Sequence, residues 1–380
     1  MTRTVRLRAT SIDYGQPGLV LINAVDEDPA NYINTSTGGS PLAEVAPVAG
    51  LPGSTKLILM DSVTLRDADD GAGFYAAASG FNSNWPGCVV SRSGDGGASF
   101  TDIESILGES IIGYANTALA TAARPNDWDT VNTVDVQLLK PSIFALTSDT
   151  DINVLNGANV GALIDSTGQV EIFQWTTATP SGGGVYTLSR LLRGRKGSDY
   201  AMAAHGMGDV FVVIDSAKLR RITADAAQLY LSRLYKATTI GTFLEDAAGV
   251  IFTNNGASLK PLSPVLGAAA RDGSSNLTVA FIRRTRISGD WADYVDVPLG
   301  EASEAYECDI YTSGAFTTVK RTLTGTATAA GSKIDAATHI ITYKAADQVT
   351  DFGSNQATVF LKAYQLSVTV GRGFAATGTV

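Results

Sequence analysis

Apolar residues in this chain come in short runs that alternate with polar ones, and turn-forming residues separate the runs. "QVEIFQW" at 169–175 sets Val170, Ile172 and Gln174 on one face of an extended strand and Glu171, Phe173 and Trp175 on the other. The same period of two groups Leu277, Val279 and Phe281 in "NLTVAFIRR", and Tyr306, Cys308 and Ile310 in "AYECDIY". It also groups Val359, Leu361 and Ala363 in "ATVFLKAYQLS". A period of two fits a pleated strand and not a helix, whose faces recur every 3.6 residues. The 39 glycines supply tight turns between such strands. The expected fold is mainly β. Helical signal is confined to "AKLRRITADAAQLYLSRLY" at 217–235, which predicts a short helix, and to "NTALATAA" at 116–123, where Asn116 would cap a turn or two.

A length of 380 residues suggests two or three domains. The proline-bearing "SLKPLSP" at 258–264 marks a boundary, and the alternating strands beyond it predict an immunoglobulin-like sandwich. The expected division is an N-terminal extended or connecting segment at 1–56, a β-rich region at 57–260 divisible near 130, and the sandwich at 261–380.

One stretch invites a nucleic-acid reading. "YTLSRLLRGRKGSD" at 186–199 gathers Arg190, Arg193, Arg195 and Lys196, yet the whole chain has 28 Lys plus Arg against 37 Asp plus Glu. A net charge of -9 gives no basic domain of the kind that binds phosphate by counterion release, so specific nucleic-acid binding is not expected. After "TTATPSGGG", this stretch reads as the return strand of a hairpin, with Tyr186, Leu188 and Leu191 inward. Arg190 and Arg193 would then fork onto carboxylates or free carbonyls, within the chain or across a subunit contact.

The N-terminus lacks the apolar core of a secretory leader. The longest apolar runs, such as "VFVVI" at 210–214, are far short of the ~20 residues that span a bilayer. A soluble protein made in the cytoplasm is expected, with Cys88 and Cys308 as free thiols, the second a core residue. His205 and His339 have no neighbouring ligands at zinc spacing, His205 reads as a turn residue, and no nucleotide or nucleophile motif occurs. No catalytic residue, cofactor or metal is therefore expected. Asp67, Asp69 and Asp70 in "DADDGAG" lack the spacing of a calcium loop and read as a solvated turn. "SGDGGASF" at 93–100 resembles the Asp box S-x-D-x-G-x-x-W of sialidases with Phe100 in place of Trp. That box stabilises a hairpin, its Asp capping the turn, and it is the one motive for an alternative reading as a carbohydrate-binding or glycan-cleaving β-protein.

Two segments resemble one family. "YTLSRLLRGRKGSD…HGMGDVFVVID" is similar to the L-x-R-L-L-R-G-x-x-G-[TS]-[DE] stretch of tail-tip, or baseplate hub (host-specificity), proteins of long-tailed phages and gene transfer agents. "RRTRISGDWADYVDVPLGEASEAYECDIY" with "DFGSNQATVFLKAYQLSVTVGRG" resembles their C-terminal fibronectin type III-like domain. "WPGCVVSRSGDGGASF", "DINVLNGANVG" and "QVEIFQW" support the likeness, which covers roughly residues 57–380. The resemblance implies hub-like β-barrel or β-sandwich domains before the sandwich, and a virion structural protein at the distal end of a tail. It further implies a homotrimer, partnered by other tail-tip, distal tail and hub proteins and by a host cell-surface receptor. Family chains often carry a large N-terminal hub region, leaving open whether this chain completes a hub built by another protein.

Host or subunit contact has one candidate loop, "TRISGDWADYVDVPLGEASE" at 285–304, long for a sandwich connection. It carries Trp291 and Tyr294, residue types enriched at binding hot spots, beside Asp290, Asp293 and Asp296. Trp291 either folds back over the end of the sandwich or meets a neighbouring subunit or the host envelope.

Overall fold

A computed structural model describes residues 7–16, 19–27, 52–289, 295–325 and 331–380. The chain falls into two units, Met1–Leu51 and Pro52–Val380. In the first, β1 (Leu7–Gln16) and β2 (Leu19–Asp26) pair antiparallel within the segment expected to be extended or connecting.

The second unit opens with β3 (Thr55–Met60), β4 (Gly73–Gly80), β5 (Cys88–Ser93) and β6 (Thr101–Ile106). A boundary at 56/57 would cut β3; the unit begins upstream of it. Next come β7 (Ile112–Ala115), β8 (Trp128–Asp129), β9 (Val134–Leu138) and the short helix α1 (Asp151–Leu155). They are followed by β10 (Val160–Ile164), β11 (Val170–Gly182), β12 (Val185–Leu192) and β13 (Val210–Val213). β14 (Arg220–Thr223), β15 (Ser232–Thr239) and β16 (Gly249–Thr253) return to the first sheets.

Six strands in the order β11-β10-β13-β7-β9-β12 close into a barrel, because β12 pairs back onto β11 from Gln174↔Leu192 to Gly182↔Val185. Closure leaves no free edge among them. The alternation in "QVEIFQW" now has a meaning on each side. Phe173 and Trp175 fill the interior with Leu163, Phe211, Val134 and Leu188, while Val170 and Ile172 face outward beside Ala162, Ile164 and Val212. No division falls near 130, since β7 before it and β9 after it are neighbours in the barrel wall.

The outward barrel residues pack on Ile58, Met60, Tyr75 and Ala77 of the sheet β14-β4-β3. The opposite face of that sheet sends Leu59, Phe74, Ala76 and Ala78 against Cys88, Val90, Tyr235 and Ala237 of the sheet β16-β15-β5-β6. β4 is thus the middle layer, buried at all eight positions. Its three successive alanines let both neighbouring layers approach closely.

Both expected helices are absent. Within 217–235, Ile222 pairs with Phe74 in β14, Asp225 caps a single turn of 3-10 helix, and Tyr230 sits at φ +63°. That left-handed backbone cannot continue an α-helix. At 116–123 the chain is irregular: the Asn116 amide donates to the Asp135 carbonyl, and Leu119 forms an isolated β-bridge with His205. Cross-strand partners distant in sequence override the local propensity at both places.

The last part of the unit contains β17 (Val265–Arg271), β18 (Leu277–Ile282), β19 (Tyr306–Tyr311), β20 (Val319–Thr324) and β21 (Lys333–Asp335). β22 (Ile340–Tyr343), helix α2 (Ala345–Phe352), β23 (Phe360–Ser367), β24 (Gly371–Arg372) and β25 (Ala376–Thr379) complete it. One sheet runs β17-β18-β22-β21; in the other, β19 lies between β20 and β23, and β23 pairs with β24 and β25. Lettered in chain order with the short β24 set aside, these are sheets A-B-E-D and C′-C-F-G, the arrangement of immunoglobulin- and fibronectin type III-like sandwiches. Leu277, Val279, Phe281, Tyr306, Cys308, Ile310, Val359, Leu361 and Ala363 form its core as the alternation predicts. Among the described residues no helix is long and apolar enough to cross a membrane.

Candidate functional site

Glu171 stands on the barrel face that carries Phe173 and Trp175, so strand geometry turns a carboxylate into the interior. Sealing it there without partners would cost several kcal/mol. The partners come from the arginine-rich stretch. Between Leu188 and Leu191, both inward though three residues apart, Arg190 adopts φ +50° and shifts the phase of β12. Arg193 then points inward, and Gly194 at φ +62° turns the chain away.

The result is a closed set of contacts. Arg193 donates from Nε to Glu171 Oε1 at 2.6 Å and from Nη2 to Oε2 at 2.7 Å. Its Nη1 donates to the Ala120 carbonyl at 3.0 Å, with Asp129 3.9 Å away. The Gly194 amide donates to Glu171 Oε1 at 3.0 Å, and His205 Nε2 lies 2.8 Å from Oε2. His205 Nδ1 is 3.0 Å from Asp209 Oδ2, which also accepts from the Gly206 amide. Arg193 and Glu171 are both 0% exposed.

The electrostatics agree with a charged lock. Burial pushes the Glu171 pKa up, but the hydrogen bonds of His205 and Arg193 outweigh it and hold the carboxyl below its ordinary range. Burial likewise works against a charged His205, yet hydrogen bonding and charge from Glu171, followed by the hydrogen bond to Asp209, raise it. As imidazolium, His205 donates from both ring nitrogens and ties the 205–209 turn to β11. Such a sealed set is suited to fixing backbone. It does not present a group to solvent.

Arg190 behaves differently. Its Nε donates to Asp151 at 2.8 Å, at the start of α1, and its guanidinium lies 4.7 Å from the Trp128 ring centre. The side chain remains 39% exposed. Of the two arginines singled out from sequence, Arg190 lies at the surface and Arg193 in the interior, so Arg193 cannot meet a partner. Trp291 and Tyr294, with Asp290 and Asp293, lie outside the described residues.

Glu171, Asp209 and Asp129 were not singled out in the sequence as site residues, and His205 was read there only as a turn residue. The signal for Glu171 was its place on the face of Phe173 and Trp175; His205 reads locally as a turn, but it is buried and bridged to Leu119. The remaining acidic stretches bond within the chain. Asp69 accepts from Arg66 and from the Tyr75 hydroxyl, Asp70 from Arg286, and Asp67 from the Ser288 amide. Asp95 accepts from Ser99 Oγ at 2.6 Å, from the Ser99 amide at 3.0 Å and from Ser93 Oγ at 2.7 Å, capping the β5–β6 turn, and these bonds hold its pKa far below the usual range. Cys88 and Cys308 are free and buried.

A family model described as "Rcc01698-like, C-terminal" matches residues 110–212. This range begins just before β7 and ends within β13, so it coincides with the barrel and includes Glu171, Arg193, His205 and Asp209. No curated protein matches the chain.

Proposed function

We propose that this chain is a structural component of the distal end of a phage or phage-like particle tail, a tail-tip or baseplate hub protein that contributes to host attachment. The observation that carries the proposal is the form taken by "YTLSRLLRGRKGSD", on which the family resemblance chiefly rests. In it Arg193 turns inward and closes a sealed lock with Glu171 and His205, while Arg190 stays at the surface, an arrangement that suits a rigid scaffold. The sandwich that follows fits the fibronectin type III-like domain implied by the same resemblance. The carbohydrate reading rests on the Asp95 turn, whose carboxylate is taken up by its own hairpin.

In this role the chain assembles with itself and with other tail proteins, and its surface loops meet the host. Imaging particles that carry a label on this chain tests the proposal. The label is expected at the tail tip, and the chain is expected to co-purify with particles. A chain found only in the free soluble fraction, turning over a glycan, would overturn it.

A further inference from the structure

The boundary between barrel and sandwich reads in sequence as a proline-bearing linker, and a linker leaves the domains it joins free to move. In the structure it is no free tether. Pro261, Leu262, Ser263 and Pro264 are all buried. Leu262 lies in the cluster of Val170, Ile172 and Tyr75, together with Phe374 from the connection between β24 and β25. The Phe374 amide donates to the Pro261 carbonyl at 2.9 Å, so the last part of the sandwich folds back onto the chain that enters it.

The surface that receives them is the 3-10 turn Arg195–Ala201, which follows the sealed lock. One side of this turn is fastened to β11. Ser198 Oγ accepts from the Ile172 amide at 2.8 Å, and Arg195 Nε donates to Gln174 at 2.7 Å. The other side holds the sandwich by two kinds of contact. Asp199 accepts from Arg284 Nη1, just past β18, at 2.8 Å and from the Ser263 hydroxyl at 2.7 Å. The Tyr200 ring stacks on Phe374, with centroids 3.7 Å apart and planes 10° from parallel. Gly197 lies so near Leu262 that a Cβ would stand 2.5 Å from its side chain. A second attachment, at the β3–β4 connection, joins Arg286 to Asp70 and the Ser288 amide to Asp67 at 3.0 Å. The ionic half of the contact is partly exposed, Asp199 by 19% and Arg284 by 21%, and salt screens it. The apolar half is removed from water and is not screened.

We infer that the sandwich is a rigid arm of the barrel rather than a module on a tether, and that the turn 195–201 is the clamp that holds it. Tyr200 on Phe374 is the part of the clamp that resists salt. The inference does not depend on the tail-tip reading. It is tested on the full chain by pulsed EPR, with nitroxides on cysteines introduced as Val131→Cys beside β8 and Val349→Cys on α2. Both positions are exposed, whereas Cys88 and Cys308 are buried. With the clamp intact, one narrow distance peak is expected at low salt and in about 1 M sodium chloride, where the screening length is ~3 Å. Tyr200→Leu should keep that peak at low salt and lose it at high salt, because only the screened pairs remain. Phe374→Leu, from the sandwich side, should do the same, and Tyr200→Phe should match the intact clamp. Asp199→Ala with Tyr200→Leu should lose the peak at both salt concentrations. A broad distribution with the clamp intact overturns the inference whatever the variants do. So does a narrow peak in the double variant at high salt.

Discussion

In the sandwich, Leu277, Val279 and Phe281 meet Cys308, Ile310 and Leu361 as one apolar cluster, and Arg372 pairs with Glu307 and Asp309 on the outer face of its sheet, 38% exposed. The barrel is built from similar strands but carries Glu171, Arg193 and His205 beside Phe173 and Trp175. Stability in the sandwich comes mainly from area removed from water, a term that is non-directional and tolerant of small shifts. The barrel adds a term that is all geometry. Buried charges are acceptable only while every partner is present, which makes that end of the barrel unforgiving and its backbone uniquely placed.

The sharpest way to break this contrast is to remove Arg193. Arg193→Ala leaves Glu171 buried with His205 and one amide, and should cost about 3–5 kcal/mol, measured by urea unfolding. Replacing both members, as Arg193→Met with Glu171→Leu, should recover much of the loss, because no unpaired charge is then left inside. A single variant as stable as wild type would mean that the lock is not closed in solution.

The sandwich counterpart is Phe281→Ala. Phe281 is 2% exposed and meets the Tyr306 ring edge-on, with centroids 4.7 Å apart. Its truncation should cost about 3–4 kcal/mol through lost transfer energy and a residual cavity. Here no second substitution of the Glu171→Leu kind can rescue, since nothing is left unpaired. If a partner-type rescue worked in the sandwich and failed in the barrel, the two interiors would have been assigned the wrong way round.

This contrast also explains what the sequence disclosed. A sandwich core with alternating apolar residues announces itself, and Leu277, Ile310 and Leu361 could be placed before any coordinates. The barrel's lining was half legible: Phe173 and Trp175 were, but Glu171 on the same face looks like any surface carboxylate until Arg193 and His205 arrive from 22 and 34 residues away. The false helix at 217–235 fails for the same reason. Its apolar spacing is local, while the pairings Ile222↔Phe74 and Tyr235↔Arg92 that decide its structure are distant. Barrel closure itself depends on β12 meeting both β9 and β11, which no local pattern specifies.

The two regions should also part in their response to pH. His205 has a raised pKa, so its contribution is fully present below its ordinary value of about 6.5 and is lost as pH rises through the higher folded value. Glu171 has the opposite sign: its contribution holds above the ordinary carboxylate value and falls away as pH drops through the lowered one. Between pH ~6 and ~8 the free energy of unfolding should therefore fall as His205 begins to lose its proton. The scan stops there because buried Cys88, pushed up to about 12, adds its own destabilising slope once unfolded thiols ionise. His205→Gln should flatten the profile. An unchanged slope would place the titration elsewhere.

The smallest effect is expected three residues from the largest. Arg190 lies in β12 and Arg193 just beyond its end, and they share a residue type, but Arg190 is 39% exposed and its partner Asp151 44%. Water can replace Asp151 at such a site, so Arg190→Ala should leave the unfolding midpoint nearly unmoved. A backbone term remains, however, that charge does not explain. At φ +50° Arg190 occupies the left-handed region, which a side chain disfavours and glycine does not. Ala at this position keeps that strain, whereas Gly relieves it, and both lose the contact with Asp151 and the Trp128 ring. Arg190→Gly should consequently be more stable than Arg190→Ala, with the two compared in the same urea titration. The reverse order would show that position 190 leaves the left-handed region once the arginine is gone, so that no backbone strain remains for glycine to relieve.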